Sequence, residues 1–332
     1  MQPTIQKQWS VLPAIPPETD QALCAYPSPI RQILFNRGLT TEEEAHHFLY
    51  SDSDSIDPFS LSGMQTSVDR ICQAIQQGEQ IVVYGDYDVD GVTACALMVQ
   101  ALQSVGAKVK GYIPNRFDEG YGLNPEALTS LYNEGARLVI TVDCGIRSPA
   151  EAVHAKSLGM DMIISDHHHP KGDLPEALAV VCPKLTGETY ANPNLAGVGI
   201  AYKIIQGLLH TLGIGSQAAD AWLDFVALGT VADMVPLTGE NRAMVRSGLR
   251  LMREKTYSRP GIIALGNVAG MDITRINAGD IGFILGPRLN AAGRLETAMS
   301  AFNLLMAQTT LEAAPLALEL NYQNTERQKK TK

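Results

Sequence analysis

Carboxylates and imidazoles gather at three points of this 332-residue sequence. The stretch Gly85-Asp86-Tyr87-Asp88-Val89-Asp90-Gly91 carries aspartates at alternate positions. Asp143-Cys144-Gly145 adds another, and Asp166-His167-His168-His169 joins a carboxylate to neighbouring imidazoles. Each group follows a short, β-rich apolar run. One aspartate after a strand is usually a helix cap or turn residue. Several acidic strand ends in one sheet are different, because carboxylates packed so closely repel one another unless they are protonated or bridged by cations. The pattern therefore asks for divalent metal. Mixed carboxylate and imidazole donors suit Mn²⁺, Fe²⁺ or Zn²⁺ better than Ca²⁺, and we expect Mn²⁺, with Mg²⁺ as a weaker-binding substitute. Two such ions side by side would polarise a phosphodiester, acidify a bridging water and stabilise the leaving oxygen. That chemistry needs no serine–histidine or cysteine–histidine pair.

The elements that must hold these residues become legible from about residue 79. IVVYG (81–85), KGYIP (110–114), RLVITV (137–142) and DMIIS (161–165) have strand character. The first three lead into the helical stretches TACALMVQALQSVG, NPEALTSLYNEG and SPAEAVHAKSLG, and the fourth into a polar loop. Strands separated by helices predict βαβ units, and hence an α/β fold with a mostly parallel sheet flanked by helices. In such sheets ligands collect at the carboxyl ends of the strands, where the acidic groups lie. The chain then becomes mainly helical through LAGVGIAYKIIQGLLHTLG, QAADAWLDFVALGTVAD and ENRAMVRSGLRLMREK. Gly197 and Gly199 lack the third glycine and the preceding strand of a dinucleotide fingerprint, so we read them as the tight start of a helix. The opening residues are rich in proline, glutamine and other polar types. Within them Thr41-Glu42-Glu43-Glu44 has capping-box spacing and predicts a short helix. Adjacent His46 and His47 point to different helix faces and are not expected to share a metal. We divide the chain into an extension (1–60), a core (61–310) and a C-terminal segment (311–332), which the resemblance given below identifies as a catalytic core and the start of a linking helix.

Composition narrows the field. The opening residues lack a signal peptide's basic start and apolar stretch, and no window approaches a membrane span, so the expected compartment is the cytoplasm. The cysteines Cys24, Cys72, Cys95, Cys144 and Cys182 form no CxxC pair, which argues against a zinc knuckle or a disulfide framework. Cys144 is read as a small buried residue despite its position beside Asp143. A net charge of −9 excludes a broadly basic surface for duplex DNA. It does not exclude a nucleic-acid strand end, because bound cations reverse the local sign of charge. Arg242, Arg246, Arg250 and Arg253 fall along one helix face and are read as a solvated stripe. With 6% aromatic residues and no interleaved basic-aromatic stretch, weak binding of long single strands is expected.

In order along the chain, YGDYDVDGVTA (84–94), TVDCGI (141–146), SDHHHP (165–170), ALGTVADMVPL (227–237) and LGPRLNAAGRL (285–295) resemble the signature motifs of the DHH phosphoesterases in their RecJ form. PNRFDEGYGL (114–123) resembles the same form, and the likeness covers roughly residues 60 to 310. It implies that Asp90, Asp143, His167 and Asp233 hold one metal ion, while Asp88 and Asp143 help hold a second, with Asp143 bridging. Asp86 would support the cluster. His168 would face the scissile phosphate or lock the ligands, and His169 would be a solvated neighbour. Arg288, Asn290 and Arg294 would contact substrate phosphate, Arg294 foremost. Where the family often has a histidine four positions before Asp88, this chain has Tyr84, leaving the second ion fewer protein ligands. The implied activity is hydrolysis of single-stranded DNA from the 5′ end in repair and recombination, with a two-metal-activated water as nucleophile. Two alternatives stay open: a phosphoesterase of short oligonucleotides or cyclic dinucleotides, and a weakly active scaffold for replication or repair partners. Implied partners are single-stranded DNA and a single-strand-binding protein or helicase. Family members continue through a long helix into a DHH-associated domain and an OB-fold. LALELNYQNTERQKKTK resembles the start of that helix, so a separate chain supplying the C-terminal half is a further expected partner.

Overall fold

A computed structural model of the chain describes residues 10–50, 55–115, 120, 122–295 and 297–331, except for the side chains of 294, 295 and 331. It divides into two compact units, Met1–Asp54 and Ser55–Lys332. The first holds α1 (Pro17–Ala22), α2 (Ser28–Phe35) and α3 (Glu42–Tyr50), packed around Leu23, Leu34 and Ala45. The expected capping box is formed: Glu44 N donates to Thr41 Oγ1 at 3.2 Å, and Thr41 N donates to Glu44 Oε2 at 3.2 Å.

The second unit opens with α4 (Met64–Gln77) and alternates strands with helices: β1 (Gln80–Gly85), α5 (Val89–Ser104), β2 (Lys108–Tyr112), α6 (Pro125–Asn133), β3 (Ala136–Val142), α7 (Pro149–Leu158), β4 (Asp161–Ser165) and β5 (Ala179–Val181). The sheet is parallel throughout, in the order β2-β1-β3-β4-β5. Because both faces are covered, the inner strands β1, β3 and β4 carry continuous apolar runs, yet their side chains still alternate. Ile81, Val83, Leu138 and Ile140 enter the core shared with α4 and α5, whereas Val82, Tyr84 and Val139 pack with α6 and α7 residues such as Leu128 and Ala155.

The remaining chain builds a helical layer: α8 (Gly197–Thr211), α9 (Leu223–Ala232), α10 (Gly239–Arg253), α11 (Pro260–Val268), α12 (Ala278–Asp280), α13 (Gly286–Leu295), α14 (Met299–Met306) and α15 (Thr310–Thr331). A π-helical turn, Ile281–Leu285, joins α12 to α13. Inside this layer Lys203 is fully buried against Glu240, which also accepts from Tyr190 Oη at 2.8 Å. Among the described residues no helix is long and apolar enough to cross a membrane.

Several boundaries differ from the sequence expectations. α5 starts at Val89 because Asp88 caps it, four residues before TACAL. β2 lies two residues earlier than KGYIP, since Lys108 pairs with Gln80 at the start of β1. QAADAWLDFVALGTVAD divides into a 3₁₀ segment, Ser216–Trp222, and α9. β5 was expected only as part of a polar loop; its three residues carry no periodicity, and pairing with Ile163–Ser165 of β4 makes them a strand.

Candidate metal centre

The strand order reverses direction between β1 and β3, with β2 lying beyond one and β4 beyond the other. That switch point is where an open parallel sheet forms a crevice at its carboxyl edge. Asp86 follows β1 directly, and its N–H donates to the Val142 carbonyl at 3.3 Å, fixing the loop to β3. Asp88 is the N-cap of α5: its Oδ1 accepts from Asp90 N at 2.9 Å and Gly91 N at 3.1 Å. Asp90, in the first turn of α5, accepts from the start of α8, through Gly197 N at 2.6 Å and Val198 N at 2.8 Å. These are N–H groups that a helix start leaves unpaired, at the positive end of its dipole.

Two glycines make this approach possible. A Cβ on Gly197 would stand 2.6 Å from the Asp143 Cβ, and one on Gly229 of α9 would stand 2.4 Å from Thr93 Oγ1 and 2.8 Å from Asp90 Oδ1. Asp143 adopts a left-handed φ of 63°, which aspartate tolerates better than most residues, and its N–H donates to the Ser165 carbonyl at 3.0 Å. Asp233 closes α9 as its C-cap, followed by Met234 at φ 63°.

Asp166 knits the loop after β4. Its Oδ2 accepts from Ile146 N at 2.9 Å, and its Oδ1 accepts from His168 N at 3.0 Å and lies 2.8 Å from His168 Nδ1. The His168 ring is thus held by one nitrogen, leaving Nε2 to face other partners. The sequence reading gave Asp166 no role of its own, although its place at the head of the triplet was the available signal.

The side chains converge. His167 Nε2 lies 3.1 Å from Asp143 Oδ1, 3.7 Å from Asp233 Oδ2 and 3.8 Å from Asp90 Oδ2. Possible ligand atoms of Asp90, His167 and Asp233 lie within 4.8 Å of one another, and so do those of Asp143, His167 and His168, and those of Asp86, Asp88 and Asp143. Asp143 therefore stands between two clusters. Asp86 Oδ1, Asp143 Oδ1 and both ring nitrogens of His167 are buried without a hydrogen-bond partner. Each such atom costs about 1–3 kcal/mol if it stays unsatisfied.

Electrostatics gives the same picture. Burial, then the charge of Asp88, pushes the Asp86 carboxyl up to about 7, and the same two causes push Asp233 up to about 6. Asp90 and Asp143 are also driven well above the ordinary carboxylate range, by burial first and then by Asp233 and Asp90 respectively. Burial and the neighbouring His168 push His167 down to about 4, so its imidazole is neutral at neutral pH with a lone pair to donate. Asp166 behaves oppositely: burial would raise it, but the His168 hydrogen bond and charge hold it below the ordinary range, and that bond raises His168. Packed carboxylates that resist ionisation, beside a neutral imidazole with unsatisfied nitrogens, are a donor set that fits divalent cations.

Other expected residues are placed as follows. Tyr84 is buried, its hydroxyl donating to the Gly122 carbonyl at 3.2 Å and its ring 5.0 Å from that of Tyr112. Cys144 is buried, with its thiol pushed far up, so it is no nucleophile. Arg288 donates from Nε to Asn321 Oδ1 at 2.9 Å and from Nη1 to the Ile284 carbonyl at 2.8 Å, tying α13 to α15. Asn290 Oδ1 accepts from Val89 N at 3.2 Å, holding α13 against the first turn of α5. The Arg294 side chain and half of PNRFDEGYGL lie outside the described residues. His169 is exposed. Among the described residues His46 and His47 join no metal-binding group.

This parallel sheet, with its carboxylate and imidazole cluster at the switch point, is matched over residues 80–230 by the DHH family, N-terminal domain. The single-stranded-DNA-specific exonuclease RecJ of Bacillus subtilis is 46% identical over 301 residues, 90% of this chain and 37% of its own length. A crystal structure of exonuclease RecJ bound to manganese has a TM-score of 0.75 at 35% identity, covering 83% of this chain and 69% of that one. The structure of RecJ from Thermus thermophilus in complex with Mn²⁺ gives 0.80 at 31% identity, covering 95% of this chain and 45% of that one. The chain belongs to the DHH family, in its RecJ branch.

Proposed function

We propose that this chain is the catalytic core, residues 61–310, of a metal-dependent exonuclease that hydrolyses single-stranded DNA from the 5′ end. The observation that carries the reading is the convergence of Asp90, Asp143, His167 and Asp233, with Asp143 Oδ1 and both ring nitrogens of His167 buried and unsatisfied among the described residues. The chain spans 37% of its Bacillus subtilis relative, so the substrate and the direction of cleavage rest on likeness to RecJ. In this reading Asp90, Asp143, His167 and Asp233 hold one Mn²⁺, and Asp88 with Asp143 helps hold a second, Mg²⁺ serving as substitute. Bound there, the ions would acidify water and neutralise charge developing on phosphate oxygens. The protein's own groups do the positioning. The N-terminal amides of α8 orient Asp90, Asp86 backs the cluster, and Asp166 fixes the His168 ring so that it faces the scissile phosphate. Arg288 and Asn290 brace α13, the segment expected near substrate phosphate, and Arg294 is its proposed phosphate contact. The proposed setting is the cytoplasm, in DNA repair and recombination, alongside a single-strand-binding protein or a helicase.

The test is digestion of a length series of 5′-labelled single strands with Mn²⁺, beside a duplex and the Asp143→Ala variant. Release of nucleotides from single strands alone, absent in the variant, is expected. Equal cleavage of the duplex, or activity retained by the variant, would refute the reading.

A further inference from the structure

The loops leaving β3 and β5 flank the β4 loop that carries His167 and His168, and each brings one cation to its side. Arg147, on the β3 loop, donates from Nε to the His169 carbonyl at 2.9 Å, which lays its side chain across the histidine segment. Lys184, on the β5 loop, follows Cys182, whose thiol points to the His168 carbonyl at 3.6 Å. Arg147 is therefore anchored to the histidine segment, and Lys184 stands two residues beyond a cysteine that touches it, in a loop that leaves the strand paired with β4. The Lys184 charge acts on His167 and Asp233, and the Arg147 charge acts on His168.

Lys184 is half-buried, yet its ammonium makes no hydrogen bond or ion pair with any described residue. A lysine retained only to offset the acidic cluster would pair with one of its carboxylates, as Arg70 does with Glu79 at 2.6 Å and Asp161 at 2.7 Å. Among the described residues the guanidinium of Arg147 uses only Nε, leaving the Nη pair of its fork. Arg288, by contrast, gives Nε and Nη1 to Asn321 and Ile284. A partly desolvated ammonium and a guanidinium fork on either side of a metal-binding histidine pair are a receptor for a tetrahedral oxyanion.

We propose that Lys184 and Arg147 form a phosphate clamp, receiving the phosphate of the bound nucleotide beside His167 and His168. This rests on reading the cluster as a phosphodiester site. Lys184 is the principal arm, being the more buried and unpaired.

The experiment is calorimetry on the whole chain. Mn²⁺ is titrated first, and a deoxynucleoside 5′-monophosphate is then titrated into the Mn²⁺-loaded protein, for wild type, Lys184→Met, Lys184→Arg and Arg147→Ala. Losing a charge-assisted contact should weaken nucleotide binding roughly tenfold to hundredfold in Lys184→Met, with Mn²⁺ affinity within about twofold of wild type. Lys184→Arg should recover most of the loss, and Arg147→Ala should show a smaller one. For a short single strand, Lys184→Met should also reduce the salt slope of binding by about 0.7. Unchanged nucleotide affinity in Lys184→Met, or an equal fall in Mn²⁺ affinity, would overturn the clamp. So would a wild-type protein that binds no nucleotide. A wild-type protein that binds nucleotide but digests no single-stranded DNA would sink the nuclease reading and leave the clamp standing.

Discussion

Gly197→Ala should damage the metal centre without touching a ligand. The added Cβ would lie 2.6 Å from the Asp143 Cβ and 2.9 Å from its Oδ1, against an ordinary carbon–carbon separation of about 3.5–4.0 Å. The first turn of α8 must then withdraw by about 1 Å, or Asp143 must be pushed out of line. Withdrawal stretches the bonds from Gly197 N and Val198 N to Asp90, now 2.6 and 2.8 Å, beyond useful range, whereas the other movement displaces Asp143 itself. Each bond to a charged acceptor contributes about 1.5–3 kcal/mol, so with partial relaxation the variant should lose about 2–4 kcal/mol of stability. With Asp90 left unheld or Asp143 displaced, Mn²⁺ affinity should fall roughly tenfold to hundredfold. Urea unfolding in the presence of a chelator reads the first quantity, and Mn²⁺ calorimetry reads the second. Gly199→Ala is the control: its Cβ would meet the end of the Leu195 side chain at 3.2 Å, and that side chain can turn aside. A Gly197→Ala protein with wild-type midpoint and Mn²⁺ affinity would show that the α8 contact does not position the cluster.

Asp143→Ala should abolish Mn²⁺-dependent hydrolysis and weaken metal binding at both clusters, seen as lost heat in calorimetry and no product on gels; near wild-type turnover would remove Asp143 from the centre. Mn²⁺ at a hundredfold excess over its Kd should stabilise the protein against urea by about 2.7 kcal/mol, and a chelator should reverse the gain. Lys203→Met strands buried Glu240 beside Tyr190 and should cost about 3–5 kcal/mol in denaturant unfolding, whereas a loss under about 1 kcal/mol would mean that Glu240 finds other compensation. With a thiol reagent on the native protein, exposed Cys24 should react first, while Cys95 and Cys182, pushed up to about 12 and about 11, stay silent until unfolding. Rapid native labelling of Cys182 would show that its pocket opens.

The local layers of this protein were written in its sequence. Alternation of apolar runs with helical stretches specified the parallel sheet, because strands covered on both faces must be apolar throughout and parallel neighbours need crossovers. The capping pattern at Thr41–Glu44 and the helix start at Gly197 were equally local, resting on backbone groups and side chains a few residues apart. So was the position of each acidic cluster at a strand end. What distant segments do to one another was not legible. β5 exists because β4 offers it a ladder, and no pattern in three residues could announce that. Asp90 is held by α8 amides more than a hundred residues away, and Gly229 owes its identity to Thr93 and Asp90 across a helix packing. Arg288 and Asn290 read as phosphate contacts in a glycine-rich segment, and no local pattern announced their bonds to Asn321, Ile284 and Val89. Lys184 carried no motif at all, and only the pairing of β5 with β4 brings its loop next to the one that carries His167 and His168. Periodicity and capping act over a few residues, whereas charge, burial and close backbone approach depend on which surfaces the fold brings together.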